Sequence, residues 1–154
     1  MGGYCNQMPN PSMTIRPATP TDADGVWRLV EDFATAFGPE REAFDLTFRS
    51  LAEAPQTLVL VAEQSAGSVV GYLLAHCRAT FLANGPVAWV EEVMVAEPAR
   101  RNGVGQALMN DVELWAESQG AAYVSLASRR AGDFYLSLAY EDAATFFKKP
   151  LTSR

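Results

Sequence analysis

Cysteine and histidine are the scarcest chemistry in this 154-residue chain, which holds two cysteines, Cys5 and Cys77, and one histidine, His76. So few thiols exclude a disulfide framework, and with a single imidazole beside them no common zinc set can be assembled. No metal is expected. Positive charge is also short: 12 Lys and Arg against 18 Asp and Glu give a net charge of −6, whereas a nucleic-acid partner calls for a basic face. No apolar run approaches the ~20 residues of a membrane-spanning helix, and the polar opening, residues 1–7, has no signal-peptide core. Asn6 stands where a myristoylation signal after Gly2 would want Ser or Thr. A cytoplasmic protein with neither membrane nor nucleic acid as partner is the expectation.

What is present is an ordinary globular composition, 49% hydrophobic and 19% charged, in a length that suits one domain. Residues 1–12 carry Pro9 and Pro11 without periodicity and read as a flexible leader. Residues 13–154 read as a single domain. Its first strand is expected at 14–18. Thr21 or Asp22 can cap a helix with Val26, Leu29, Val30 and Phe33 on its apolar face. Phe37 to Glu40 break it, and Phe44, Leu46, Phe48 and Leu51 set out a second helix before Pro55. Residues 57–63 and 69–77 are β-rich and joined as a hairpin. Both are apolar on both sides, as a sheet covered on both faces requires. A further hairpin at Asn84-Gly85-Pro86 leads to a central strand at 88–95. A strand at 123–126, a helix near 132–138 and a last strand around 145–148 complete the order βααβββαβαβ. That order implies a mixed α/β sandwich.

The most informative run follows the central strand: Glu97-Pro98-Ala99-Arg100-Arg101-Asn102-Gly103-Val104-Gly105-Gln106-Ala107-Leu108-Met109. Pro98 breaks the strand, two glycines permit backbone shapes that a Cβ forbids, and Leu108, Met109, Val112, Trp115 and Ala116 set out a helix that Gly120 stops. Such a loop presents unpaired backbone N–H groups and the positive end of a helix dipole to one small volume. It is an anion site, suited to phosphate or pyrophosphate. Two familiar phosphate motifs fail here. Gly105 is followed by Gln106 and Ala107 rather than Lys and Ser or Thr, and Leu108 occupies the third small position of a dinucleotide fingerprint.

What remains, Arg-x-x-Gly-x-Gly after a strand, resembles the acetyl-CoA loop of the GNAT family of N-acetyltransferases. One helix and one strand further on, Ala131-Gly132-Asp133-Phe134-Tyr135-Leu136-Ser137-Leu138-Ala139-Tyr140 resembles that family's second signature, with Ala139-Tyr140 in place of the usual Gly-Phe. The resemblance implies a GNAT-like fold with helices on both faces of a mixed, mainly antiparallel sheet. It also implies acetyl-CoA as co-substrate. The main chain of Val93, Met94 and Val95 would pair with the pantetheine. The backbone of Arg101, Asn102, Gly103, Val104, Gly105 and Gln106 would hold the pyrophosphate, with Arg100 and Arg101 adding charge. Ser128 stands where many members place an asparagine near the pantetheine arm.

Direct transfer from a thioester to an amine needs a neutral amine, a polarised carbonyl and an acid for the thiolate, but no enzyme nucleophile. By resemblance Tyr135 is that acid. Glu91 and Glu92 are adjacent on a strand, so strict alternation turns them to opposite faces, Glu91 with Val93 and Val95, Glu92 with Val90 and Met94. One of them is expected to accept the amine's proton, and Glu91 is favoured. His76 reads as a structural histidine and Cys77 as a small buried hydrophobe. The expected activity is acetylation of a primary amine on a small molecule. Acetylation of a protein N-terminus or lysine, and a non-catalytic acyl-CoA-binding regulatory domain, are the alternatives. The family resemblance, together with Phe146 beside Phe147 near the C-terminus, implies a homodimer.

Overall fold

The computed structural model describes residues 12–34, 38–65 and 67–151. Strands β1 (Met13–Pro17), β2 (Thr57–Gln64), β3 (Val69–Ala79), β4 (Pro86–Val95) and β5 (Val124–Leu126) form one sheet in the order β1-β2-β3-β4-β5. The first four run antiparallel and β5 lies parallel to β4. Helices α1 (Ala23–Phe33) and α2 (Arg41–Glu53) cover one face; α3 (Val104–Ser118) and α4 (Gly132–Ser137) lie on the other. The leader and Phe37 fall outside the described residues. Among those described, no helix is long and apolar enough to cross a membrane.

Two cores result from the double-sided strands. Val59, Val61, Tyr72 and Met94 face Val26 and Leu29 of α1 and Phe48 of α2. Leu60, Ala62, Leu73, Ala75 and Val90 face Leu108, Met109 and Val112 of α3. Truncating one of these three α3 side chains to alanine is worth about 2–5 kcal/mol. The helical periodicity was not sufficient at every position. Phe33 and Leu46, expected on apolar faces, are exposed, because each helix buries a narrower stripe than the sequence offers.

A start for α1 is fixed by charge. Arg16 Nη1 and Nη2 donate to the two carboxylate oxygens of Asp22 at 2.7 and 2.8 Å, and Arg16 Nε donates to Glu63 at 2.7 Å. Asp22, the N-cap of α1, is 5% exposed, so this fork ties β1, β2 and the helix entry together.

The last expected strand is absent. Residues 141–150 have no regular structure and are exposed, and α4 is the final element. Thr145, Phe146 and Phe147 have β propensity, but propensity makes a strand only where an edge is paired. The outer edge of β5 pairs with no strand among the described residues. Phe146 instead stacks over Trp89 with ring centroids 6.5 Å apart.

Candidate active site

The register of β4 determines which side chains share a face. Leu74 lies opposite Glu92 but Ala75 lies opposite Val90, so Glu91 is an extra residue in a β-bulge. Strict alternation therefore fails at this point. Val90 shares the α3 face with Val93 and Val95, while Glu92 shares the α1/α2 face with Met94 and lacks the expected neighbour Val90. Glu91 is exposed; Glu92 is partly buried. Burial, and then the negative charge of Glu91, push the Glu92 carboxyl above its usual range.

Beyond the bulge the two parallel strands part. β5 pairs with β4 only through residues 88–90 and 124–126. On that side the main chain of Glu91 to Val95 is met by no strand among the described residues, which leaves polar backbone available to an extended ligand. One carbonyl there is engaged: Arg100 Nε donates to Val95 O at 3.0 Å. Arg100 thus buttresses the strand end.

After a short turn at Glu97–Ala99 the loop has two residues of positive φ, Arg101 at 65° and Gly103 at 80°. Asn102 Nδ2 donates to Ala99 O at 3.3 Å and braces the loop from inside. Helix α3 begins at Val104, one residue earlier than Gly105, and Gly103 is its N-cap. The loop therefore delivers the amides of the first turn of a 15-residue helix to one spot, the geometry an anion requires. At Gly105 a Cβ would stand 3.2 Å from Cζ of Phe134. The second signature thus packs directly on the first.

Tyr135 follows Phe134 on α4. Its ring meets Phe134 edge-on at 5.0 Å and Tyr140 edge-on at 5.9 Å. Burial pushes its phenol pKa up, so it remains a proton donor through neutral pH. Tyr140, a departure from the signature, uses its hydroxyl to donate to Glu113 Oε1 at 2.9 Å and fastens the motif to α3. Ser128 is exposed and its Oγ accepts from the amide of Ala131 at 3.0 Å, which orders the approach to α4. His76 Nδ1 lies 3.1 Å from Thr57 Oγ1, and Cys77 is buried with its thiol pKa pushed up by that burial; both match their expected structural roles.

On the face that carries Glu92, further along β4, a shallow cavity of about 290 Å³ is lined by Arg78, Thr80, Val87, Trp89, Tyr123 and Ser125. Arg78 makes no ion pair among the described residues. Neither the cavity nor the buried Tyr72 near Glu92 was marked by sequence. Their signal is the two-residue period of β3 and β4, readable only once the bulge is known.

Residues 24–140 match the model of the Acetyltransferase (GNAT) family. Glucosamine-6-phosphate N-acetyltransferase from Arabidopsis thaliana superposes with a TM-score of 0.81 at 19% identity, over 91% of this chain and 99% of that one. A transcriptional regulator from Bacillus halodurans superposes with a TM-score of 0.80 at 19% identity, over 90% and 99%. For an aminoglycoside 6'-N-acetyltransferase from Acinetobacter baumannii the TM-score is 0.70 at 21% identity, over 91% and 99%. No curated protein sequence matches the chain.

Proposed function

The chain belongs to the GNAT family of acetyltransferases, and from that premise we propose that it moves the acetyl group of acetyl-CoA to a primary amine of a small molecule by direct attack in a ternary complex. The observation that carries this reading is Glu92: a partly buried carboxyl of raised pKa at a bulge, beside the point where β4 and β5 part. A carboxylate in that state is basic enough to take a proton from an incoming amine. Glu91, exposed on the bulge, is not given that role.

Acetyl-CoA fits the residues present. The amides from Arg101 to Gln106 would receive the pyrophosphate. The main chain of Val93, with the amide of Val95, would pair with the pantetheine as an added strand does, while Met94 between them is paired with Tyr72 of β3. The amine nitrogen then forms a bond to the acetyl carbon as the carbon–sulfur bond breaks. Glu92 takes the amine's proton, and Tyr135 gives one to the departing thiolate.

A small acceptor is supported by the size of the cavity beside Trp89, near the lower end of ordinary ligand sites. Two structural neighbours point the same way, one a glucosamine-6-phosphate N-acetyltransferase and one an aminoglycoside 6'-N-acetyltransferase. A protein N-terminus or lysine is the alternative acceptor. The likeness to a transcriptional regulator keeps a non-catalytic acyl-CoA sensor as the rival class; binding alone would need neither Glu92 nor Tyr135. The chain is further proposed to act as a homodimer in the cytoplasm. The deciding experiment offers amino sugars, aminoglycosides, polyamines, amino acids and peptides with acetyl-CoA and follows free thiol. Thiol release with none of them, alongside measurable CoA binding, would leave the sensor reading.

A further inference from the structure

We propose that Tyr72 is a positioning residue for Glu92, its hydroxyl donating to the Glu92 carboxylate through one bridging water. The inference rests on the reading of Glu92 as the base. Tyr72 is 2% exposed, and its hydroxyl is buried without a hydrogen-bond partner among the described residues. Buried polar atoms in native proteins are nearly always paired, so an orphan of this kind calls for a physical reason.

The sheet supplies one. Tyr72 lies opposite Met94 and Leu74 lies opposite Glu92, so Tyr72 and Glu92 are diagonal neighbours on one face. Such pairs are about 7–8 Å apart at the backbone, within reach of an aromatic and a long side chain. The Tyr72 hydroxyl has no direct hydrogen-bond partner among the described residues, so its link to the Glu92 carboxylate runs through water in this proposal. Competing partners are few. The next polar group along β3 on this face is His76, which lies against Thr57. Val26 and Leu29 of α1 and Phe48 of α2 share one apolar cluster with Tyr72. Arg41 is engaged at the surface by Asp24 and Asp45. On β4 the remaining charge is the exposed Glu91. Of the charged groups described, Glu92 is the one whose field reaches the phenol, adding to the rise that burial causes.

The protonation states are complementary. A phenol of raised pKa can donate, and an ionised carboxylate can only accept. A bond of this kind favours the charged form of Glu92 and so opposes the burial and the Glu91 charge that raise its pKa. Tyr72 would thus favour the ionised form of the base and hold its oxygens toward the acceptor.

Tyr72→Phe removes only the hydroxyl. Carbon-13 NMR titration of the Glu92 carboxyl should show its pKa rising by roughly half to one unit in that variant, the size of a weakened hydrogen bond to a charge. The acid limb of kcat/KM should move by the same amount while KM for acetyl-CoA stays constant. Thermal melts of Tyr72→Phe, Glu92→Gln and the double variant should be non-additive. Superimposable Glu92 titrations, or additive melts, would overturn the link. Both readouts are independent of turnover. If Glu92→Gln turns over normally the base assignment falls, while the Tyr72–Glu92 link is decided by the titration and the melts.

Discussion

Phe134 stands so close to Gly105 that a Cβ there would lie 3.2 Å from the ring's Cζ. The contact couples the glycine loop to the helix that carries Tyr135, so a change at Gly105 acts on two parts of the proposed site at once. Gly105→Ala is expected to push Phe134 aside and weaken CoA binding by roughly tenfold, and Gly105→Glu, which forces a long chain against Phe134 and adds negative charge to the loop, should abolish it. Gly103 has open space around it but φ of +80°. Its alanine variant should therefore lose about 1–2 kcal/mol through strain. Calorimetry with CoA and thermal melts separate the two effects; equal affinity in folded Gly105→Glu would remove the loop from the binding site.

The Arg16–Asp22 pair yields a stability prediction. The Arg16 hydrogen bonds hold the Asp22 carboxyl below its usual range. A depressed folded pKa gives stability that is present above the unfolded value of about 3.9 and lost as pH falls through the folded one. Arg16→Gln leaves Asp22 charged and enclosed, and should cost about 2–3 kcal/mol at pH 7. Melts of wild type and variant should converge in the acid limb. A constant difference down to the lowest pH would show that the loss comes from packing alone.

Much of this arrangement could be read in the sequence, for identifiable reasons. Two-residue and near-four-residue periods located five strands and the helices, and the glycine pair before Leu108 located the turn into α3. Three features escaped. Thr145 to Lys148 has strand composition, but a strand needs a partner edge, and that is a tertiary property. The exposure of Leu46 depends on how α2 rolls against the sheet. The bulge at Glu91 is a slip in pairing between two distant segments, invisible in either one, and it reverses the face that alternation assigned to Val90. Spacing alone could not choose between Glu91 and Glu92, because both alternation and the bulge leave the acceptor's face unnamed.

Association is expected from exposed apolar side chains and an open sheet edge. Phe81, Leu82, Phe147 and Leu151 are largely exposed, while the outer edge of β5 is open among the described residues. Open sheet edges and exposed apolar side chains are sites of pairing. A homodimer is expected by light scattering at tens of micromolar, about the usual working range, and Phe147→Glu should shift it toward monomer. A wild-type monomer at that concentration would count against the dimer.

The proton assignment gives the sharpest test. Tyr135→Phe keeps the ring against Phe134 and Tyr140 but removes the acid, so turnover should fall by roughly 10²-fold or more with CoA affinity unchanged. Glu92→Gln should lower turnover on a similar scale, with recovery at high pH as the amine deprotonates unaided. Its stability should change in the opposite sense. A carboxyl whose folded pKa is raised contributes stability below the unfolded value of about 4.3 and loses it as pH rises through the folded one. Above that window the ionised Glu92 weighs against the fold, so Glu92→Gln should melt higher than wild type at pH 8 and no higher at pH 4. Glu91→Gln removes the charge that helps raise Glu92, so it should shift the acid limb of kcat/KM to lower pH while leaving the maximal rate intact. If Glu91→Gln loses turnover and Glu92→Gln does not, the bulge residue is the base and the roles exchange.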